Sequence, residues 1–328
     1  MTEGPAAVSG KKPFAIGVDL GATTIKAGVV DRKGKILEQA RSDTMADKGP
    51  DAVLKQMIRT IRDLLSRRAQ AGCLGIGIGS PGVVTPDGVV RYPPNFSQWK
   101  EVNVLKRLRK AFRLPIFIEN DANAAAMGEA VHGVARKYKD FLFVIWGTGV
   151  GGGIILDRKI YRGPHGGAGE VGHVTIDYNG PLCNCGSRGC IESFIGQRYL
   201  SRRTREILES MPPGKPRSKI SELVGGNLDE IEPSIISRAA EEGDLTAIAI
   251  LQEAGELLGY ALASALNILD LRIVVIGGGL SAAPDFVFTA VETGLRSRVL
   301  QSIKPGVRVL RSTLGNAAGI VGAASLVR

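Results

Sequence analysis

The stretch FAIGVDLGATTIKAGVV, residues 14–30, decides the fold class of this chain. Its first apolar run ends in a turn rich in glycine and threonine, and further strands are predicted over residues 25–30 and 35–41. Two hairpin-like strands after such a turn differ from the strand-to-helix transition of a dinucleotide-binding unit. The stretch therefore begins an α/β lobe of another type.

The same plan returns later in the chain. A helix with apolar residues at helical spacing is predicted over residues 51–71, and a buried strand over residues 74–79. An apolar strand followed by a glycine-rich turn then recurs at residues 141–153, again with a second strand, and once more at residues 273–279. The length of 328 residues is that of about two domains. We therefore predict a duplicated pair of α/β lobes.

The turns at the strand ends carry groups that can hold phosphate. Backbone N–H groups and hydroxyls can cradle phosphate oxygens, while an aspartate can hold Mg²⁺ through water. The first turn offers Asp19, Gly21, Thr23, Thr24 and Lys26. A second, similar turn consists of Gly147, Thr148 and Gly149. Neither turn matches the P-loop pattern, and an ordinary structural turn is the alternative for each one taken singly.

Asn120 and Asp121 follow a predicted strand over residues 116–119 and open a predicted helix. Asparagine and aspartate often cap helices, which is the structural interpretation. In the functional interpretation, Asp121 is a general base and Asn120 binds a substrate hydroxyl, because a hydroxyl must lose its proton during phosphoryl transfer. Position alone leaves both interpretations open.

The segment EVGHVTIDYNGPLCNCGSRGCIE, residues 170–192, holds three of the four cysteines and one of the three histidines. Three thiolates and one imidazole make a closed tetrahedral Zn²⁺ site, which predicts the ligands His173, Cys183, Cys185 and Cys190. Buried thiols and a disulfide are the alternatives. A glycine-rich loop argues against buried core thiols. The short spacing between Cys183 and Cys185 argues against a disulfide. The spacing differs from that of a zinc finger.

The net charge of +10 and the pI near 9.6 are compatible with a polyanionic partner. The basic clusters at residues 59–68, 100–113 and 198–205 lie on predicted helices, where solvated basic faces are common. We therefore expect no nucleic-acid partner. No apolar run is long enough to predict a membrane span. Residues 1–13 are predicted to form a flexible tail without a targeting signal, which predicts a cytoplasmic protein.

Taken together, these motifs closely resemble the ROK family (repressor, ORF, kinase) of the actin-like sugar kinase superfamily, and most nearly its bacterial glucokinases. The resemblance covers residues 14–328. The motifs that carry it are DLGATTIKAG (19–28), GSPG (79–82), ENDANAAAMGE (119–129), GTGVGGG (147–153), EVGH (170–173), CNCGSRGCIE (183–192), VVIGGGLS (274–281) and LGNAAGIVGAA (314–324).

The resemblance implies a role for each site residue. Asp121 would be the catalytic base, and the four metal ligands would hold a structural zinc. The residues expected to bind the sugar are Gly82, Asn120, Asp121, Glu170, His173 and Glu192. The ATP phosphates would lie at the turns of Asp19 and Gly149, and adenosine would lie near Gly277, Gly278 and Gly279.

The resemblance further implies a ribonuclease-H-like, two-lobed fold with a small lobe of residues 14–121 and 315–328 and a large lobe of residues 122–314. The expected reaction is ATP-dependent phosphorylation of a hexose at its 6-hydroxyl, most nearly that of glucose. N-acetylmannosamine, fructose or allose as acceptor, and polyphosphate as donor, stay open. A sugar-sensing regulator is the alternative of another class, although the short segment before Asp19 leaves no room for a DNA-binding domain. A homodimer or homotetramer is expected.

Overall fold

The computed structural model describes residues 13–68, 72–212 and 218–327. The strands are β1 (Phe14–Leu20), β2 (Thr24–Asp31), β3 (Ile36–Asp43), β4 (Cys73–Ser80), β5 (Val83–Val84), β6 (Val89–Arg91), β7 (Glu101–Asn103), β8 (Ile116–Asn120), β9 (Phe141–Trp146), β10 (Val150–Leu156), β11 (Lys159–Tyr161), β12 (Ile273–Gly277) and β13 (Arg308–Arg311). The α-helices are α1 (Pro50–Ser66), α2 (Val104–Ala111), α3 (Asp121–Val131), α4 (Glu192–Ile195), α5 (Gln197–Glu209), α6 (Lys219–Leu223), α7 (Pro233–Glu241), α8 (Leu245–Leu269), α9 (Asp285–Arg298) and α10 (Ala318–Ala324). Except for Pro13, the predicted tail lies outside the described residues, as does the predicted end of the first helix at residues 69–71.

The chain divides into two compact units. The first unit comprises Met1–His132 and Ala317–Arg328, and the second comprises Gly133–Asn316. This division falls later in the chain than the one proposed from the sequence, which separates residues 121 and 122. The reason is α3, which packs against α10, β4 and β8 and so belongs with the first unit.

Each unit contains a sheet of five strands, and the two sheets share one plan. Their orders are β3-β2-β1-β4-β8 in the first unit and β11-β10-β9-β12-β13 in the second. In both, an antiparallel meander of three strands is extended by two strands that run parallel to the first strand of the meander. The predicted duplication is therefore confirmed within the described residues.

The sheet of the first unit is covered by helices on both faces. The buried positions of α1 recur every three or four residues, and they form one core with Ile16 and Val18 of β1. Gly17 lies between these two residues and so points to the other face. A Cβ there would collide with the carbonyl oxygen of Ile320 in α10, so glycine permits this close packing.

A small three-stranded sheet, β5-β6-β7, was not predicted from the sequence. Its strands are two or three residues long, which is too short for an alternating pattern to be recognised. It lies in the first unit between β4 and α2 in the chain.

Helix α8 is the longest helix of the second unit among the described residues. By length and composition alone it could cross a membrane, but half of its most apolar window is buried inside the protein. It packs along α9, and its buried side chains belong to the same core as β9 and β12. Asp244 caps its first turn by accepting a hydrogen bond from Ala247 N at 2.8 Å. These contacts assign α8 to the core of this unit.

Candidate active site

In the first unit, the predicted site residues meet at one edge of the sheet. The strands β1, β4 and β8 run parallel, and their register places Asp19 beside Gly79 and Ser80 beside Asn120. The carboxyl ends of neighbouring parallel strands are where α/β sheets bind ligands. The structure therefore brings Asp19 and the Asn120–Asp121 pair to the same edge, as the motif order implies.

Asn120 is a helix cap in this structure. Its Oδ1 accepts hydrogen bonds from Ala122 N at 3.0 Å and from Asn123 N at 3.2 Å. Its Nδ2 donates to the carbonyl oxygen of Gly82 at 3.2 Å. The capping interpretation is thus confirmed, and the same side chain ties the Gly82 loop to the start of α3. Its contact with a sugar hydroxyl stays a prediction.

Asp121 occupies the first position of α3 and is half-buried. Its Oδ1 accepts a hydrogen bond from Ala122 N at 2.8 Å. The positive end of the helix dipole favours a negative charge at this position, and a general base requires the carboxylate form. The geometry is compatible with the predicted role of Asp121.

Glu119 is a supporting residue that the sequence analysis did not single out. It is buried, and its Oε1 accepts from Asn120 N at 3.0 Å and from Asn123 Nδ2 at 3.1 Å. It thereby fixes the backbone immediately before Asp121. A charged residue within a predicted buried strand is a signal that could have identified it.

The first glycine–threonine turn is closed by backbone bonds and anchored from outside. Gly21 N donates to Thr24 O at 3.1 Å. The fully buried Thr44 donates through Oγ1 to Gly21 O at 2.7 Å and through its amide to Thr23 O at 2.9 Å. Thr23 itself is exposed. The turn is therefore held from behind while its tip remains accessible, and Thr44 was not foreseen.

Asp19 and Lys26 face each other across the β1–β2 hairpin. Their side chains form an ion pair with 3.8 Å between Oδ2 and Nζ. Burial raises the pKa of the Asp19 carboxyl, and the charge of Lys26 opposes that shift. A carboxylate that is costly to bury gains stability from a nearby cation, so this position suits a divalent ion.

In the second unit, the two other glycine turns come together at the ends of adjacent strands. β9 and β12 are parallel neighbours, with Gly277 beside Ile145. A Cβ on Gly147 would lie 3.7 Å from the amide nitrogen of Gly279. The turn of Gly147, Thr148 and Gly149 therefore borders the turn of Gly277, Gly278 and Gly279. This juxtaposition fits one ligand that carries both phosphates and a nucleoside.

Glu192 contacts the turn of residues 147–149, which we call the second phosphate turn after its predicted ligand. The resemblance did not imply this contact. Glu192 Oε2 accepts a hydrogen bond from Val150 N at 2.9 Å. The carboxylate also fills the space that a side chain on Gly149 would need. A residue expected to bind the sugar is therefore bonded directly to the exit of the phosphate turn.

Glu170 and His173 lie at the two ends of a short 3₁₀ turn, Val171–His173, and both side chains are exposed. His173 N donates to Glu170 O at 3.1 Å. The imidazole Nδ1 of His173 is 3.8 Å from the sulfur of Cys183. The resemblance assigns the other ring nitrogen of His173 to a sugar hydroxyl, and this role stays a prediction.

The four predicted metal ligands converge. One ligand atom from each of His173, Cys183, Cys185 and Cys190 lies within 4.8 Å of all the others. The sulfurs of Cys185 and Cys190 are 3.7 Å apart. A tetrahedron with zinc about 2.3 Å from each sulfur has edges of about 3.8 Å, so the spacing fits a closed Zn²⁺ site.

The thiols of this cluster do not favour three negative charges on their own. Burial of the Cys190 thiol, together with the hydrogen bonds that its S–H donates to the sulfurs of Cys185 and Cys183, raises its pKa to about 12. Burial also raises the pKa of Cys183, whereas a backbone hydrogen bond from Ser187 lowers that of Cys185. A bound cation would offset this repulsion, and the donor set therefore fits a metal.

The loop around the cluster is built by local hydrogen bonds. Cys183 N donates to Ser187 O at 2.8 Å, and Gly186 N donates to Cys183 O at 3.0 Å. Outside the loop, the Tyr199 hydroxyl accepts from Asn184 N at 3.1 Å. Tyr199 is buried and follows the cluster in the chain, and it is a further support that the sequence analysis did not identify.

The paired sheets of equal strand order, with glycine turns at their strand ends, define the class of actin-like ATPase folds found in ROK sugar kinases. The ROK family model matches residues 15–328, and the chain belongs to the ROK family.

Relatives of two kinds are similar to this chain. A glucokinase of Thermotoga maritima is 34% identical over 314 residues, covering 95% of this chain and 96% of that protein. A xylose repressor of Bacillus subtilis is 30% identical, covering 97% of this chain and 77% of the repressor. The solved structure of a ROK family glucokinase from Streptomyces griseus, in complex with glucose and AMPPNP, is 33% identical with a TM-score of 0.83, covering 95% of this chain and 98% of that one.

Proposed function

We propose that the protein is a glucokinase that transfers the γ-phosphoryl group of ATP to the 6-hydroxyl of glucose. The observation that carries this proposal is the placement of Asp121 at the N-terminus of α3, after a backbone that Glu119 holds, in a chain that resembles glucokinases over nearly its full length. Similarity to a structure holding glucose and AMPPNP supports the same substrates here.

In the proposed reaction, the oxygen of the sugar 6-hydroxyl bonds to the γ-phosphorus, and the carboxylate of Asp121 accepts the proton of that hydroxyl. The bond from that phosphorus to the β,γ-bridging oxygen breaks, and ADP leaves. Asn120, Glu170, His173 and Glu192 are assigned to the sugar hydroxyls.

On the donor side, we assign the phosphates to the turns of residues 21–24 and 147–149, and adenosine to residues 277–279. Mg²⁺, when bound, would neutralise the charge that develops on the phosphate oxygens. Asp19 would hold it, and Lys26 would contribute a second positive charge beside the phosphates. The His173–Cys190 cluster is assigned to a structural zinc, since its four protein ligands leave no open position for water.

A coupled assay of ADP formation against a panel of hexoses tests this proposal. We expect glucose with ATP to give the highest kcat/KM, ahead of N-acetylmannosamine, fructose and allose, and ahead of polyphosphate as donor. If another sugar is phosphorylated and glucose is not, that sugar is the substrate and the glucose assignment is wrong. Absence of turnover with every sugar and donor would contradict a kinase.

The similarity to xylose repressors favours one second candidate, a sugar-sensing protein without catalysis. The chain spans 77% of that repressor. Calorimetric binding of a sugar without any turnover would support this candidate.

For either function, we propose a homodimer or homotetramer, which sedimentation equilibrium would measure.

Replacing Asp19 with Ala should mainly damage use of the donor. The carboxylate lies beside the phosphate turn and Lys26, so we expect ATP-dependent turnover to fall on the order of 10²-fold. Glucose binding without nucleotide should change less than about twofold, as calorimetry would measure. Asp47→Ala, an exposed aspartate in the same unit, is the matched control. Equal loss of sugar binding would instead indicate a structural role for the turn.

A further inference from the structure

The segment that follows the last cluster cysteine, residues 192–197, is hydrogen-bonded to the turn of residues 147–149 and to the residues on either side of it. Both backbone and side-chain groups take part. The bonds are Val150 N to Glu192 Oε2 at 2.9 Å, Trp146 Nε1 to Ile195 O at 3.0 Å, Gln197 N to Gly147 O at 3.1 Å and Thr148 Oγ1 to Gln197 Oε1 at 3.4 Å. The turn is therefore shaped by the segment that leaves the metal cluster.

Val150, the residue that follows the turn, is also contacted by the segment of Glu170 and His173. Gly172 lies in the 3₁₀ turn between Glu170 and His173, and a Cβ there would collide with the carbonyl oxygen of Val150. The amide of Val150 donates to Oε2 of Glu192. The two segments of the second unit that carry proposed sugar ligands thus both contact Val150, at the end of the turn.

The carboxylate of Glu192 has two oxygens with different surroundings. Oε2 is used by Val150 N, whereas Oε1 makes no hydrogen bond with any residue that the structure describes. The side chain is half-buried, so it stays accessible to a ligand. One oxygen can therefore accept from a sugar hydroxyl while the other holds the turn.

We propose that Glu192 is a positioning residue that couples the sugar site to the phosphate turn, by holding the Val150 amide with Oε2 and a sugar hydroxyl with Oε1. This inference rests on the proposed function for its two ligands. It deepens that function by giving the sugar-binding segment a direct effect on the nucleotide site. Loss of the carboxylate then weakens nucleotide binding even when no sugar is present.

The coupling follows from charge and geometry. A hydrogen bond from an amide to a carboxylate is stronger than one between neutral groups, and its loss leaves the amide of Val150 without its partner. The turn of residues 147–149 then gains freedom, which binding of phosphate must remove. We expect Glu192→Ala to weaken AMPPNP binding roughly tenfold in the absence of sugar.

Two substitutions separate the two roles of this side chain. Glu192→Gln keeps an oxygen that can accept from Val150 N but replaces the charged acceptor that faces the sugar. We expect Glu192→Gln to retain AMPPNP affinity within about threefold while losing glucose affinity, and Glu192→Ala to lose both. Glu209→Ala, an exposed glutamate at the end of α5, is the matched control and should leave both affinities unchanged.

The readouts are calorimetric affinities for AMPPNP alone and glucose alone, and hydrogen exchange at the Val150 amide. Exchange should be faster in Glu192→Ala than in Glu192→Gln and in the unsubstituted protein, with the metal content of all variants equal. Unchanged AMPPNP affinity and unchanged Val150 exchange in Glu192→Ala would overturn the proposal and leave Glu192 as a sugar ligand only.

A third variant keeps the test decisive if Glu192→Ala does not fold. Gln197→Ala removes only the side-chain bond to Thr148 at the other end of the turn, and it should weaken AMPPNP binding while sparing glucose. Unchanged AMPPNP affinity in Gln197→Ala would then overturn the idea that this segment shapes the turn.

None of these readouts needs turnover. A protein that phosphorylates no sugar but shows the Val150 effect would contradict the proposed function and support the coupling.

Discussion

Asp121→Asn is expected to lower kcat by about 10²–10⁴-fold with little change in glucose affinity. Asparagine is nearly isosteric and keeps an oxygen for the Ala122 amide, so α3 should still begin at this position. What it lacks is the ability to accept a proton from the sugar hydroxyl. Steady-state kinetics with glucose and ATP, together with thermal melting, measure both effects.

Asp140→Asn is a suitable control for this substitution. Asp140 also accepts a backbone hydrogen bond, from Asp157 N at 2.7 Å, but it lies in a surface loop of the second unit. It should show near-normal turnover. Near-normal turnover of a well-folded Asp121→Asn enzyme would remove Asp121 from the mechanism.

Loss of the metal cluster is expected to have the largest effect on folding. We expect about one zinc per chain in the purified protein, and a closed site of this type can supply on the order of 10 kcal/mol of local folding free energy. Cys190→Ser should therefore abolish zinc binding and loosen residues 170–192. Metal analysis and hydrogen exchange across that segment provide the measurement.

Because residues 192–197 bond the phosphate turn, this substitution should weaken both glucose and AMPPNP binding. Cys73→Ser, at a thiol outside the cluster, is the matched control and should keep the metal. An active protein purified without zinc, or a Cys190→Ser variant with unchanged affinities, would contradict a structural metal.

The metal content should also depend on pH. Ligands must be deprotonated to bind, and burial and neighbouring sulfurs raise the pKa of the Cys190 thiol to about 12. Protons therefore compete more strongly as the pH falls, and zinc should be released on acidification and retained at neutral and alkaline pH. Titration with a chromogenic chelator across the pH range would follow this release. Release on raising the pH from neutral would contradict the assignment.

Local sequence patterns were sufficient for the elements around residues 14–41. Apolar runs and the glycine-rich turns that follow them span only a few residues, so the β1–β2–β3 meander and its recurrence at β9–β10 were predictable. Element ends were less so. The helix predicted over residues 51–71 is observed as Pro50–Ser66.

The sequence by itself determined the family and identified the four residues of the candidate metal cluster, since these depend on residue types at short spacing. Only the tertiary structure decided that Thr44 anchors the first phosphate turn, that Glu119 braces the backbone before Asp121, and that Glu192 holds Val150. The bonds of Thr44 and Glu192 join positions far apart in the chain. Such partners are chosen by how the intervening loops pack, and no local pattern records that choice.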